Sequence, residues 1–137
     1  MSARRLRIAL GPLAVLAAVG VVACGEEKIS LPGNDAAQVQ HGAEIFHERC
    51  AGCHTLSFAG AQGSAIKPND KEYKDGPNFD QRKEDEASVL FAIQNGGFSS
   101  GPMPQDIVVN GDAQAVAKFL AKYSGRKAPK TVSPPGG

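Results

Sequence analysis

Cys50-Ala51-Gly52-Cys53-His54 decides how the rest of this chain is read. The pattern C-x-x-C-H has a specific chemistry. Two thiols two residues apart can add across the two vinyl groups of one porphyrin. The His that follows the second thiol is then held beneath the ring, where an imidazole nitrogen can bind the iron. Two rival chemistries share part of this pattern. A structural zinc site takes four ligands, usually from two pairs, and no second Cys or His pair follows here. A thioredoxin-like dithiol belongs near a βαβ pattern, whereas this motif closes a helix-like segment. A chance occurrence in a small chain is the third alternative. The motif itself therefore points to covalent haem attachment, and the surrounding sequence has to decide.

The 137 residues predict one domain. With 16 Gly, 9 Pro, no Trp and 42% hydrophobic residues, the chain has a lean core for its length. A bound macrocycle would supply the missing apolar volume, although a small loop-rich domain has the same composition. Arg4, Arg5 and Arg7 precede an uncharged apolar run from Ile8 to Val22. That run is shorter than the roughly 20 residues that span a bilayer and fits a secretory h-region. It ends in Val21-Val22-Ala23-Cys24, which resembles a bacterial lipoprotein cleavage box in which the Cys is lipidated. An uncleaved N-terminal anchor and ordinary cleavage nearby are the alternatives. All three place the domain outside the cytoplasm. Removing residues 1–23 takes three Arg from the 15 basic residues and none of the 14 acidic ones, leaving a formal charge of −2. This balance gives no support for nucleic-acid binding.

The organisation read from the sequence is a signal segment at 1–23, an anchor and tether at 24–35, a domain at 36–125, and a disordered tail at 126–137, basic and then rich in Pro and Gly. A first helix is expected from Ala36 to Arg49, with Asp35 as N-cap and Gln38 completing a capping-box-like arrangement. Val39, Ala43 and Phe46 share a face with Gly42 and Cys50 beside them. Gly42 costs a helix about 1 kcal/mol against Ala. It fits either close approach by another helix or a tolerated surface position. Residues 55–75 show no clean period and read as a long exposed loop, ended by a turn at Gly76-Pro77-Asn78-Phe79. A second helix spans Glu84 or Asp85 to Asn95, with Val89, Leu90 and Ile93 as its stripe and Gly96-Gly97 as its stop. A third runs from an Asp112 N-cap to Ser124, with Gly125 beyond it and Ala113, Val116, Ala117, Leu120 and Tyr123 buried. No strand pattern stands out.

If haem is attached, His54 is the proximal ligand, and the question is what faces it. Met103 lies 49 residues downstream in Ser99-Ser100-Gly101-Pro102-Met103-Pro104-Gln105, a loop braced by two prolines. A lone Met is ordinarily a core gap-filler, but a Gly-rich loop between prolines is a poor place for one. His41 and His47 lie on the helix that leads into the motif and are badly placed to reach the far face.

With these pieces in order, the chain resembles the class I c-type cytochromes of bacteria over roughly Asp35 to Ser124. The resemblance rests on Gly42-x-x-x-Phe46, then Cys50-Ala51-Gly52-Cys53-His54, Gly76-Pro77-Asn78-Phe79, Asn95-Gly96, Met103-Pro104 and Val116-Ala117-Lys118-Phe119-Leu120. It implies an all-α, small cytochrome c fold, with three to four helices and loops wrapped around one covalent haem c. Cys50 and Cys53 would carry the haem, and His54 and Met103 would be the axial ligands of its iron. The Pro77 carbonyl would accept a hydrogen bond from the His54 ring, orienting it and raising its basicity. Gly42 and Phe46 would pack near Phe119 or Leu120, which favours the packing reading of Gly42. Asn78 would lie near the haem edge. The implied function is one-electron transfer rather than enzymic turnover. The expected carrier works between donor and acceptor redox complexes at the outer face of the cytoplasmic membrane, anchored through Cys24 or the N-terminal segment, as a monomer or a subunit of a respiratory complex. The alternatives are a haem subunit of a larger respiratory complex, or a haem enzyme or gas sensor with a displaceable sixth ligand.

Overall fold

The computed structural model describes residues 28–66, 69, 71–98 and 101–129. The signal segment, the Cys24 anchor and the end of the tail therefore lie outside the described residues. Three helices carry the fold: α1 (Ala37–Arg49), α2 (Glu86–Asn95) and α3 (Asn110–Tyr123). A short antiparallel pair, β1 (Thr55–Leu56) and β2 (Ala61–Gln62), follows the C-x-x-C-H motif, with a 3-10 turn at Ser57–Ala59 between the strands. Among the described residues, no helix is long and apolar enough to cross a membrane.

The α1–α3 crossing is the spine. A Cβ placed on Gly42 would lie 2.1 Å from the Ala115 carbonyl oxygen and 2.9 Å from the Phe119 Cβ. Glycine therefore sets how closely the two helices approach, and the packing reading of Gly42 holds. One turn on, Phe46 meets Phe119 edge to face at 5.9 Å and Phe79 at 6.0 Å, a preferred aromatic geometry. The α3 stripe Ala113, Val116, Ala117, Leu120 and Tyr123 is buried as expected, joined by Ala115 and Phe119. α2 starts at an Asp85 N-cap whose carboxylate accepts from the Ser88 amide at 2.9 Å. Such a cap stabilises a helix by about 1 kcal/mol. Gly96 in the left-handed conformation ends it, at φ 71°.

Four expectations need correction. Asp35 is not the α1 N-cap. Ala36 takes that position with no side-chain cap, because the Asp35 carboxylate instead accepts from the Tyr123 hydroxyl and Lys122 on α3. Gln38 likewise accepts from Lys118. Asp112 is not the α3 N-cap either. The helix begins two residues earlier, at Asn110 after Val109, and Asp112 in its first turn bonds His41 at 2.8 Å. In both cases a long-range partner outcompetes the local cap.

The third correction concerns residues 55–75. The first half is not an exposed loop: Leu56, Phe58, Ala59 and Ala61 are buried and belong to the core. Its burial alternates over pieces too short to show a period. The second half is exposed at Ile66 and Tyr73. The fourth concerns the two ends. Ile29 and Leu31 pack against the core, and the Ser30 amide donates to Phe58 O at 2.9 Å, so the expected tether is already docked there. At the other end Arg126 lies over the rings of Phe58 and Tyr123, and the Ala128 amide donates to Ser57 Oγ. The tail is thus ordered against the domain as far as Pro129, the last described residue.

Candidate haem-binding site

α1 delivers the motif. The helix ends at Arg49, Cys50 caps it by donating its amide to Phe46 O, and the His54 amide returns to Cys50 O at 3.0 Å. Cys50, Cys53 and His54 thereby face one cleft of about 270 Å³. The β1–β2 hairpin locks the back of this turn. Gly63 donates to His54 O, and a Cβ at Gly63 would lie 2.3 Å from Ala51 O. Thr55 and Ser64 bond reciprocally, amide to hydroxyl, both at 3.0 Å.

The turn at 76–79 is stitched to the same stretch. The Gly76 amide donates to Cys53 O at 2.7 Å, and the Phe79 amide to Thr55 O at 2.8 Å. This brings the Pro77 carbonyl to 3.1 Å from His54 Nδ1. A carbonyl only accepts, so Nδ1 must carry the hydrogen and Nε2 keeps its lone pair. The Phe79 ring stacks on the imidazole at 4.9 Å and 17°. Glycine is required at 76, because a Cβ there would lie 2.3 Å from His54 Cε1. Burial lowers the His54 pKa against the opposing pull of the Pro77 carbonyl, with the Arg82 charge adding to the lowering. The ring is therefore held neutral, the state in which an imidazole binds a metal.

α2 and the loop after it also line the cleft, through Val89, Ala92, Ile93 and Met103. Both ends of the loop are tied to α2: the Gly97 amide bonds Ala92 O, and the Asp106 amide bonds Ile93 O. Gly96 lets the loop pass close, because a Cβ there would meet Met103 O at 2.9 Å. Met103 is half-buried against the core. Val116 and Leu120 of α3 line the cleft too. Burial, with the Cys53 charge second, pushes the Cys50 thiol up to about 12. The two cysteines are not joined to each other.

These residues fit haem. The lining is mostly apolar. The Cys50 and Cys53 sulfurs and an imidazole whose Nε2 keeps its lone pair line the cleft, and so does the Met103 thioether. The structure brings together all the sequence-predicted site residues it describes: Cys50, Cys53, His54, Pro77 and Met103. His41 and His47 are elsewhere. His41 pairs with Asp112, and His47 Nδ1 donates to Ala59 O at 2.7 Å. Among the described residues, no three His, Cys, Asp or Glu side chains come together as a metal site. Sequence reading missed the Phe79 stack, although Phe79 stood in the quoted turn. It also missed the charged rim, where Arg82 Nε reaches Glu84 Oε1 at 2.5 Å without an aligned hydrogen bond and the Glu84 amide is held by Ser124 Oγ.

Comparison with known proteins agrees with this geometry. The family described as Cytochrome c matches residues 39–124. Cytochrome c-551 of Bacillus subtilis (strain 168) is 31% identical over 108 residues, covering 79% of this chain and 84% of that protein. The solved structure of the c-type cytochrome SorU from Sinorhizobium meliloti superposes with a TM-score of 0.52 at 35% identity, over 67% of this chain and 97% of that one. The chain belongs to the cytochrome c family as a class I c-type cytochrome, with covalently bound haem c as its cofactor.

Proposed function

We propose that this haem electron carrier holds its iron between His54 and Met103 and exchanges single electrons with donor and acceptor redox complexes outside the cytoplasmic membrane. The observation that carries the ligand set is the pairing of a neutral His54, with Nε2 free, and Met103 on walls of one cleft. When bound, the haem supplies an iron that cycles between Fe(II) and Fe(III), and a Met ligand raises its potential relative to His or thiolate ligation. The chain does the rest. Cys50 and Cys53 hold the macrocycle by thioethers. Pro77 and Phe79 fix the imidazole plane, and the tied loop keeps Met103 in place. An iron held by both His54 and Met103 would have no coordination site left for a substrate. A pyridine-haemochrome spectrum diagnostic of two thioether bonds is expected, with no carbon monoxide binding by the native reduced protein. Tight gas binding would sink the closed-site reading.

The apolar run at 8–22 and the Val21-Val22-Ala23-Cys24 box support export and lipid anchoring at Cys24. Cys24→Ser is expected to leave the haem spectrum intact and release the protein from washed membranes. A variant that stays bound after a salt wash would show that Cys24 is not the anchor. The encounters expected of such a carrier are weak and small in area.

A further inference from the structure

One face beside the cleft is unlike the rest of the molecule. From Ala87 to Gln105 the sequence carries no Asp, Glu, Lys or Arg, although 21% of the chain is charged. This stretch is α2 after its first residue, Glu86, together with the loop that holds Met103. On it two large aromatic side chains are left in water: Phe91 is 49% exposed and Phe98 62%. They stack on each other at 5.2 Å and 26°. Gly101, Pro102 and Pro104 are exposed in the same loop. Phe98, Pro102 and Met103 also line the cleft, so the patch begins at the cleft wall and runs outward over α2. Charged residues line the other part of the rim, at Arg49, Lys74, Asp75, Arg82 and Glu84.

We propose that the Phe91–Phe98 face is where an electron-exchange partner seats, and that the partner presents an uncharged, apolar surface to it. The inference rests on the electron-carrier reading and deepens it. The physical case has two parts. Exposed aromatic surface is costly in water and mark interaction sites when contiguous. A charged partner surface pressed against this face would lose hydration with no opposite charge to replace it, so the face selects an uncharged partner. Its contact with the Met103 side of the cleft gives the partner a short path to the redox centre. Association through such a face has little electrostatic steering and is therefore insensitive to salt.

Electron self-exchange tests this without knowing the natural partner. The probe is a second copy of the holoprotein in the opposite oxidation state, observed by NMR line broadening in mixtures of the two. One electron passes from the reduced to the oxidised copy, and no bond forms or breaks. The expected rate constant changes less than about twofold between low and high salt, because screening has little to act on. Phe91→Ser, outside the cleft lining, should lower it about tenfold with the visible spectrum and reduction potential unchanged, and Phe98→Ser should lower it as well. Phe91→Lys should make it salt-dependent, slow at low salt and recovering at high salt, through like-charge repulsion between two copies. Gln114→Lys, exposed on α3, should not. Equal salt responses of the two Lys variants, or Ser variants that exchange at the native rate, would overturn the docking assignment while leaving the carrier intact. A stable dimer of the holoprotein that Phe98→Ser dissociates would overturn it as well, by making the face an oligomer interface. Native holoprotein that exchanges no electrons at all would instead sink the carrier reading.

Discussion

The two ends of the α1–α3 pair are built on opposite rules. At the cleft end, a buried imidazole and a buried thiol are kept neutral, with charged side chains at the rim. His54 is held as free base and the Cys50 thiol is pushed up to about 12. At the other end, the segments entering and leaving the domain are joined by charge. The buried Asp35 carboxylate accepts from Tyr123 and Lys122, and Arg126 lies over Phe58 and Tyr123. A buried carboxylate is tolerated only with such partners. The contrast separates two tasks. The latch holds the helices together without help from a cofactor, while the cleft reserves apolar surface for a macrocycle. Gly42 and Phe46 on the spine serve both ends.

The largest effect is expected where the two ends share a support. Gly42→Val puts branched carbon where even a Cβ is 2.1 Å from backbone. The helices must separate, because the obstacle is a carbonyl and not a flexible side chain. A loss of about 3 kcal/mol or more in urea unfolding of the holoprotein is expected. A smaller loss would mean that the helix pair can slide. Met103→Ala should come next, and should act on the cleft alone. The haem stays attached, the sixth position opens to carbon monoxide and the potential falls. An unchanged visible spectrum would rule Met103 out as a ligand.

Why one end was legible in the sequence and the other was not follows from the same contrast. The cleft is written in short-range chemistry. The spacing of Cys50, Cys53 and His54, the turn at Pro77 and the prolines around Met103 each encode a local geometry. The three helices were legible too, because their stripes are periodic. The latch is written in contacts 71 to 88 residues apart, such as Asp35 with Tyr123 and Ser57 with Ala128. Locally, Asp35 looks like a helix cap and Arg126 like the start of a solvated tail. Only the folded chain shows that Tyr123 competes for the one and an aromatic pair for the other. The buried half of 55–75 was missed for a related reason. Its strands have two residues each, too few for alternation to register.

Asp35→Asn tests the latch by pH. Hydrogen bonds from Lys122 and then Tyr123 hold the Asp35 pKa below its ordinary 3.8. A lowered folded-state pKa stabilises above the unfolded value and is lost as pH falls through the folded one. Native protein should therefore lose stability below about pH 4, and the Asn variant should lose less over that range while being weaker at neutral pH. The partner group has the opposite sign. Burial and then the Asp35 hydrogen bond raise Tyr123 from 10 to about 12, so its contribution is present below pH 10 and fades as pH approaches 12. Parallel acid unfolding curves for native and variant protein would place the carboxylate's energy elsewhere.

The smallest expected effect belongs to His41, which joins α1 to the first turn of α3 from the surface. The hydrogen bond to Asp112, with charge from Asp112 and Glu44 behind it, raises the His41 pKa above 6.5 against the desolvation that lowers it. The sign follows from linkage. The folded state binds the proton more tightly, so the contribution is full below pH 6.5 and disappears as pH rises through the raised value. The side chain is 48% exposed and Asp112 is 50% exposed, so solvent and salt screen the pair. His41→Asn should thus cost a little stability at pH 5.5 in low salt and almost none at pH 9 or in high salt. This is the reverse of the Asp35 profile. If His41→Asn instead costs the same at both pH values, the side chain acts by packing, and the pH dependence at Asp35 stands without a counterpart at His41.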